Sequence, residues 1–191
     1  MQNPQREIVQ IAQLLTSSAE SDAQQKAVLN YFTTNASLRD PLCVVESSPN
    51  SRDTILGVYQ WYRILSPNTR SNIQSILYDR ELDLIDLEIV QVFKARFSPF
   101  KPAESRFLIR LSMREDNGLH YIARQENFLQ PDDVLNILIP PLAPLLRLGL
   151  NAAAIVYNMN ARALQATGLW KPDPKFGTRV SGRSVQESKT N

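Results

Sequence analysis

One histidine and one cysteine are all this chain offers to a borderline or soft metal. His120 and Cys43 cannot make the clusters that hold zinc, so no metal site is expected. A lone cysteine also excludes an internal disulfide framework and suits a reducing compartment. Glycine-rich phosphate loops and nucleophile elbows are missing too, and no cofactor is expected. Residues 1–7 lack the charged-then-apolar pattern of a secretory signal. The expected location is therefore the cytoplasm or the cytoplasmic side of an endomembrane, not the exterior. Excess charge is nearly absent: the net charge is +2 and the pI about 8.8. Nucleic-acid binding needs clustered Lys and Arg, and is not expected.

What remains is an ordinary globular composition, 43% hydrophobic and 21% charged over 191 residues. That length allows one domain with appendages and a substantial core. The clearest signal lies in residues 84–97, which contain neither Gly nor Pro. Ile85, Leu87, Ile89, Gln91, Phe93, Ala95 and Phe97 alternate with Asp86, Glu88, Val90, Val92, Lys94 and Arg96, the period of a strand. A strand of fourteen residues would run roughly 45 Å. At that length it must twist or bend, so a curved sheet is its natural host.

Ahead of it, Ile8, Ile11, Leu14 and Leu15 fall at helical spacing. A second helix runs from Asp22 through Phe32, with Val28, Tyr31 and Phe32 on its apolar face. Residues 36–41 read as a short extended stretch, because Asp40 precedes Pro41, and Val44 and Val45 suggest a short strand. The third helix carries Ile55, Val58, Tyr59, Tyr62 and Leu65 on one face, with Trp61 at its edge, and Pro67 ends it. Residues 72–79 alternate as a strand, and 79–81 turn into residues 84–97. Two further strands, residues 106–114 and 119–128, flank Asn117-Gly118, a dipeptide suited to a tight hairpin. Pro131 closes the last strand, and Asp132 is expected to cap the segment after it. Helices first and antiparallel strands afterwards indicate an α+β fold, a curved antiparallel sheet of four to six strands with helices packed on it.

Residues 134–157 are almost continuously apolar, interrupted by Asn136, Arg147 and Asn151 and broken by Pro140, Pro141 and Pro144. Past Pro144, Arg147, Asn151, Asn158, Arg162 and Gln165 gather into one narrow polar stripe. So apolar a helix is either buried or in contact with a membrane. The prolines and Arg147 favour an interfacial segment over a spanning one, and peripheral membrane contact through residues 134–166 is the expectation. The chain divides into a domain over 1–133, an apolar helical segment over 134–170 and a disordered polar tail over 171–191.

Several stretches, taken in order, resemble one superfamily: Tyr31-Phe32 on to Asp40-Pro41-Leu42, Tyr59 to Leu65-Ser66-Pro67, Val90-Gln91-Val92-Phe93, and residues 121–126. The chain is similar to proteins of the nuclear transport factor 2-like fold, and most similar to their fungal SigF-like branch. The likeness covers roughly residues 20–133. It implies a cone in which helices close a curved sheet around a cavity. It fixes no activity, because such cones host isomerases, cyclases, ligand carriers and interaction modules. An apolar C-terminal segment is part of the same likeness.

A cavity enzyme needs an acid, a base or hydrogen-bond donors in an apolar pocket. The carboxylates to consider are Asp40, Glu88 and Glu126. Asp40 falls where the resemblance puts the cavity mouth, although Asp before Pro also simply forms turns. His120 could move a proton, yet a place beside the hairpin turn suits a solvent-facing side chain. In residues 119–128 strict alternation groups Arg124 and Glu126 with His120 and Ile122, and Gln125 with Tyr121 and Ala123. If the apolar sides face the cone, Gln91 and Gln125 become interior amides that either bond a substrate carbonyl or satisfy each other. Arg110 and Glu88 then join cross-strand pairs outside. Tyr31, Tyr59 and Tyr62, with Phe93, are the expected substrate-binding residues, and Asp40, Gln91 and Gln125 the expected catalytic ones. The expected activity is cofactor-free cyclisation or isomerisation of a hydrophobic small molecule, pericyclic in one form, of the polyketide or terpenoid kind. The alternative is a non-catalytic lipid- or sterol-binding protein, or a membrane-tethered interaction module. A homodimer is compatible with either.

Overall fold

A computed structural model of the chain describes residues 1–17, 21–94, 96 and 99–169. The expected polar tail, residues 171–191, lies outside the described residues. The chain forms two compact units, Met1–Leu145 and Leu146 onward.

In the first unit, α1 (Pro4–Thr16) starts with Pro at its first turn, where a missing N–H costs nothing. Asn3 caps it by accepting from the Arg6 amide, and the Glu7 carboxylate accepts from the Gln2 and Asn3 amides at 2.7 Å. Ile8, Ile11, Ala12 and Leu15 form its buried stripe. The second helix, α2 (Ser21–Tyr31), stops one residue before the expected end. Phe32-Thr33-Thr34 is aromatic and β-branched, and there the chain becomes strand β1 (Phe32–Asp40). The extended stretch expected at 36–41 is thus the end of a nine-residue strand. A tight turn leads to β2 (Cys43–Val45), and α3 (Ser51–Leu65) crosses over β1.

The strands β3 (Arg70–Asp79), β4 (Leu84–Phe93), β5 (Ala103–Asp116) and β6 (Leu119–Phe128) come next as a meander. They complete a six-stranded sheet ordered β2-β1-β6-β5-β4-β3. One pair departs from the expected antiparallel pattern: β1 runs parallel to β6, so the sheet is mixed. Alternation within a strand carries no record of its neighbour's direction, and the crossover through α3 and the meander makes a parallel pair available. Asn117 and Gly118 turn the β5–β6 hairpin with φ of 51° and 76°, as the dipeptide predicts.

The strand expected over residues 84–97 ends at Phe93. Its last ladder partners are Val92 with Arg70 and Phe93 with Ala103. Beyond them the backbone turns to the end of α3: the Lys94 amide donates to Ser66 Oγ at 3.1 Å and the Arg96 amide to the Leu65 carbonyl at 2.7 Å. Ala95 and Phe97 lie outside the described residues.

The core forms where Ile85, Leu87 and Ile89 of β4 meet Ile109 and Leu111 of β5 and the helical residues Ile8, Ile11, Val28 and Ile55. The other side of the sheet carries charge. Arg110 grips Asp86 with two bonds of 2.9 Å, and Arg106 pairs with Glu88. Arg110 and Glu88 therefore do join cross-strand pairs, each with a different partner.

After β6, Gln130 takes the position expected of a cap, and Pro131, not Asp132, opens α4 (Pro131–Leu138). Proline fits the first helical position, and Asp132 falls inside the first turn, where its charge meets the positive end of the helix dipole. Helix α4 packs on β5 and belongs to the first unit, so the apolar segment expected from residue 134 begins as part of the domain. A 3₁₀ turn (Pro140–Leu142) leads on to α5 (Ala143–Ala166), which continues into the second unit. Pro144 sits in the first turn of α5, and the helix runs unbroken for 24 residues, about 36 Å. The helical stretch Pro140–Ala166 is long and apolar enough to cross a membrane by length and composition.

Candidate functional site

Between helices α1, α3 and α4 and the inner sheet face lies a hollow of about 300 Å³. Leu38, Phe93, Phe107 and Ile109 line it from the sheet, and Leu15, Val58, Val134 and Ile137 from the helices. Four consecutive strands, β1, β6, β5 and β4, face this one space, so the sheet is concave there. Apolar walls around a few polar groups are the usual make-up of a small-molecule site.

The polar groups converge on Asp40. Its Oδ1 accepts from the Tyr62 hydroxyl at 2.8 Å and from the Leu42 amide at 3.1 Å. Its Oδ2 accepts from Asn127 Nδ2 at 2.9 Å. The Leu42 bond is the Asx turn between β1 and β2. Asp40 is thus the turn-former and the hollow's carboxylate at once, because a strand ends there with its last side chain directed inward. Four lone-pair sites belong to a carboxylate. Three are filled, and the remaining one is on Oδ2.

Behind Asn127 runs a relay. Gln125 Nε2 donates to Asn127 Oδ1 at 2.9 Å, and the Tyr59 hydroxyl donates to Gln125 Oε1 at 2.7 Å. The direction of every bond is set by Asp40. An ionised carboxylate only accepts, so Asn127 must present its NH₂, which leaves its oxygen for Gln125; Gln125 in turn leaves its oxygen for Tyr59. Each amide keeps one N–H to spare. The Tyr59 ring is held edge-on to Phe32, centroids 6.4 Å apart.

Burial pushes the Tyr59 phenol far above the usual tyrosine range; the bond to Gln125 opposes this and the Asp40 charge adds to it. Burial raises Tyr62 as well, with the Asp40 charge and hydrogen bond next. Both stay protonated at any physiological pH and serve as donors. The Cys43 thiol is raised by burial and by Asp40, against the opposing bond with Tyr62. It is therefore a poor nucleophile near neutrality.

Six of the seven residues singled out in the sequence border this hollow: Asp40, Gln91, Gln125, Tyr59, Tyr62 and Phe93. Tyr31 does not; it packs against the core at the end of α2. Gln125 and Gln91 both face inward, yet they do not bond each other. Gln125 is tied to Tyr59 and Asn127, whereas the Gln91 amide has no side-chain partner among the described residues. The other acids lie elsewhere. Glu88 is paired with Arg106, and Glu126 with Arg124. His120 sits beside Asp83 at 3.2 Å, with its backbone bonded to Met1.

The face assignment of β6 needs correction. Ile122 and Gln125 are both buried, three residues apart. The ladder shifts between Ser112–Arg124 and Met113–Ile122, leaving Ala123 unpaired. This bulge switches the faces midway, so Ile122 points inward with Gln125 and Asn127 instead of siding with Arg124 and Glu126. Asn127, which completes the relay, was not among the sequence candidates. It stands two residues after Gln125 on the same strand, so an inward Gln125 was the available signal.

Comparison with solved structures returns the same architecture. A hypothetical protein from Catenulispora acidiphila DSM 44928, of ketosteroid isomerase-like fold and solved with trimethylamine, aligns with a TM-score of 0.53 at 17% identity, covering 69% of this chain and 91% of its own. An NTF2-like protein from Anabaena variabilis ATCC 29413 also aligns at 0.53, at 12% identity, covering 69% and 92%. A SnoaL-like family protein from Agrobacterium tumefaciens strain C58, assigned as an isomerase, aligns at 0.50 with 14% identity, covering 66% and 97%. Identities this low speak for the fold alone. No curated protein sequence matches the chain. The SigF NTF2-like domain matches residues 1–169, and with that span, its mixed sheet and its helix-closed hollow, the chain belongs to the SigF NTF2-like family.

Proposed function

We propose that this protein encloses an apolar small molecule and catalyses its isomerisation or ring closure by proton transfer at Asp40, without a cofactor. The observation that carries this reading is a carboxylate held by three donors, with one lone pair free, on the wall of an apolar hollow. Such a carboxylate suits abstraction of a proton from carbon next to a carbonyl. Asp40 Oδ2 takes the proton, and the electron pair moves onto the carbonyl oxygen. The spare N–H groups of Asn127 and Gln125 are the donors available to the resulting enolate. In isomerisation Asp40 returns the same proton to a different carbon. In ring closure the enolate carbon attacks an electrophilic carbon of the same molecule, and the proton goes to the oxygen that leaves or gains charge. Confinement in a shaped hollow contributes by orienting the ends.

The test is a panel of β,γ-unsaturated ketones, monitored by the absorbance of the conjugated enone. Wild-type protein is expected to accelerate conjugation, and Asp40→Asn to abolish the acceleration while still binding the product. Equal rates for both proteins would sink the reading. The apolar lining also supports simple carriage of a lipid-like guest; in that case Asp40→Asn binds as wild type and neither protein turns anything over.

Location at a membrane is part of the proposal. Support comes from α5 alone, a helix of membrane-spanning length with a narrow polar stripe. Val134 and Ile137, at the start of the apolar segment, line the hollow instead. Apolar substrates partition into bilayers, so a membrane contact would bring the protein to its supply.

A further inference from the structure

Buried polar groups in proteins are almost always hydrogen-bonded, and those that are not call for an explanation. Two such groups, the hydroxyls of Ser71 and Ser105, flank Gln91, a residue of the hollow's lining. Gln91 on β4 is in register with Ser71 on β3 and with Ser105 on β5. Directly opposed residues on one sheet face have Cβ atoms about 5 Å apart, so the row is contiguous. The Ser71 and Ser105 hydroxyl oxygens are buried and have no hydrogen-bond partner, and Ser105 is only 2% exposed. The Gln91 amide lines the hollow and has no side-chain partner among the described residues.

The contrast with the rest of the hollow is sharp. Asp40, Asn127, Gln125, Tyr59 and Tyr62 bond one another in an unbroken chain. Ser66 and Thr69, which also line the hollow, bond each other at 2.8 Å. Among the described lining residues, Gln91 is left with its side-chain amide open. A leucine at position 91 would pack against the same walls without leaving an amide open.

We propose that the Gln91 row is a second polar subsite, which receives a neutral oxygen of the ligand at the end remote from Asp40. This rests on the reading of the hollow as a ligand site and specifies the ligand further. The guest is two-ended: a reactive group at Asp40, an apolar body, and a carbonyl or hydroxyl oxygen at Gln91. An oxygen that accepts from Gln91 Nε2 gives the open amide its partner. The oxygen is neutral because the row holds no cation to pair with a carboxylate or phosphate. Asp40 and Gln91 lie on strands separated by two others. Three strand spacings amount to about 14 Å on a flat sheet, and less across a concave one. That span suits a molecule of two or three fused rings.

Two fluorescent probes test this, 2-naphthol and 6-acetyl-2-naphthol, which differ by a carbonyl at the end opposite the hydroxyl. Dissociation constants are measured on the full chain by fluorescence titration. In the wild type the acetyl group is expected to improve affinity about tenfold, the worth of one well-made hydrogen bond. In Gln91→Leu that increment is expected to vanish while 2-naphthol binds as before. Asp40→Asn should weaken both probes by the same factor. Ser105→Ala, which removes a hydroxyl without a partner, is expected to raise the melting temperature. If 2-naphthol binds but the acetyl increment is missing, or survives in Gln91→Leu, the subsite is overturned and the Asp40 site stands. If neither probe binds, the ligand-site reading falls and the subsite with it. A lower melting temperature for Ser105→Ala means the hydroxyl is bonded after all, and overturns the case for an open row.

Discussion

Asp40 does two jobs with one side chain, and the two can be separated by substitution. Asparagine keeps the shape and an oxygen for the Leu42 amide, but it cannot take a proton. Asp40→Asn is therefore expected to lower turnover of the responsive ketone by about 10²–10⁴-fold, the usual contribution of a general base, with little change in melting temperature. Kinetics and calorimetry on one preparation check both halves. Tyr59 makes a different prediction. Its folded pKa is raised above the value of about 10 in the unfolded chain. A group of this kind contributes stability that is fully present below the unfolded pKa and is lost as pH rises through the folded one. Urea unfolding should thus show stability falling from about pH 10 upward, and Tyr59→Phe should fall less steeply over the same window. Parallel slopes in the two proteins would contradict the burial of that phenol.

At the scale of elements, the bulge in β6 lets Ile122 and Gln125, three residues apart, face inward together. Removing Ala123 takes out the unpaired residue, and simple alternation then keeps Ile122, Gln125 and Asn127 inward with Arg124 and Glu126 outside. The deletion variant is therefore expected to fold with the same inward set and to bind the probes as the wild type does, measured by fluorescence titration. Loss of probe binding in a folded deletion variant would show that the bulge itself is needed to aim Gln125 and Asn127. The same bulge explains what the sequence could and could not reveal. The alternation of β4 and β5, the Asn117-Gly118 turn and the Tyr59–Tyr62 spacing on α3 were all legible, since each depends on residues close in the chain. The unpaired Ala123, the parallel partnership of β1 with β6 and the early end of β4 were not. Each is fixed by what a distant segment offers: Met113 and Ser112 across the ladder, α3 as a crossover, Ser66 as a competing acceptor. Asn127 went unseen for the same reason, because its value depends on Asp40, 87 residues away.

For the molecule as a whole, the domain and the apolar helix make separable demands. The hollow and its relay lie within Met1–Leu145, and α5 continues beyond it. If α5 brings the protein to membranes, then Val156→Asp, on the side of that helix opposite the polar stripe, should abolish co-sedimentation with phosphatidylcholine vesicles and leave probe affinity untouched. Sedimentation of this variant to the wild-type extent would remove the membrane contact from the proposal.

The relay that ends on Asp40 has one more implication. Every bond in it points the same way only because its terminal oxygen atoms carry a negative charge and nothing to donate. Once a proton settles there, that obligation disappears, and Asn127, Gln125 and Tyr59 are free to turn over in sequence. The phenol is then a natural spectroscopic gauge. Its near-ultraviolet band and its ring resonances should respond when the charge is removed by Asp40→Asn or when a guest donates to the carboxylate, although Tyr59 does not bond to Asp40 itself.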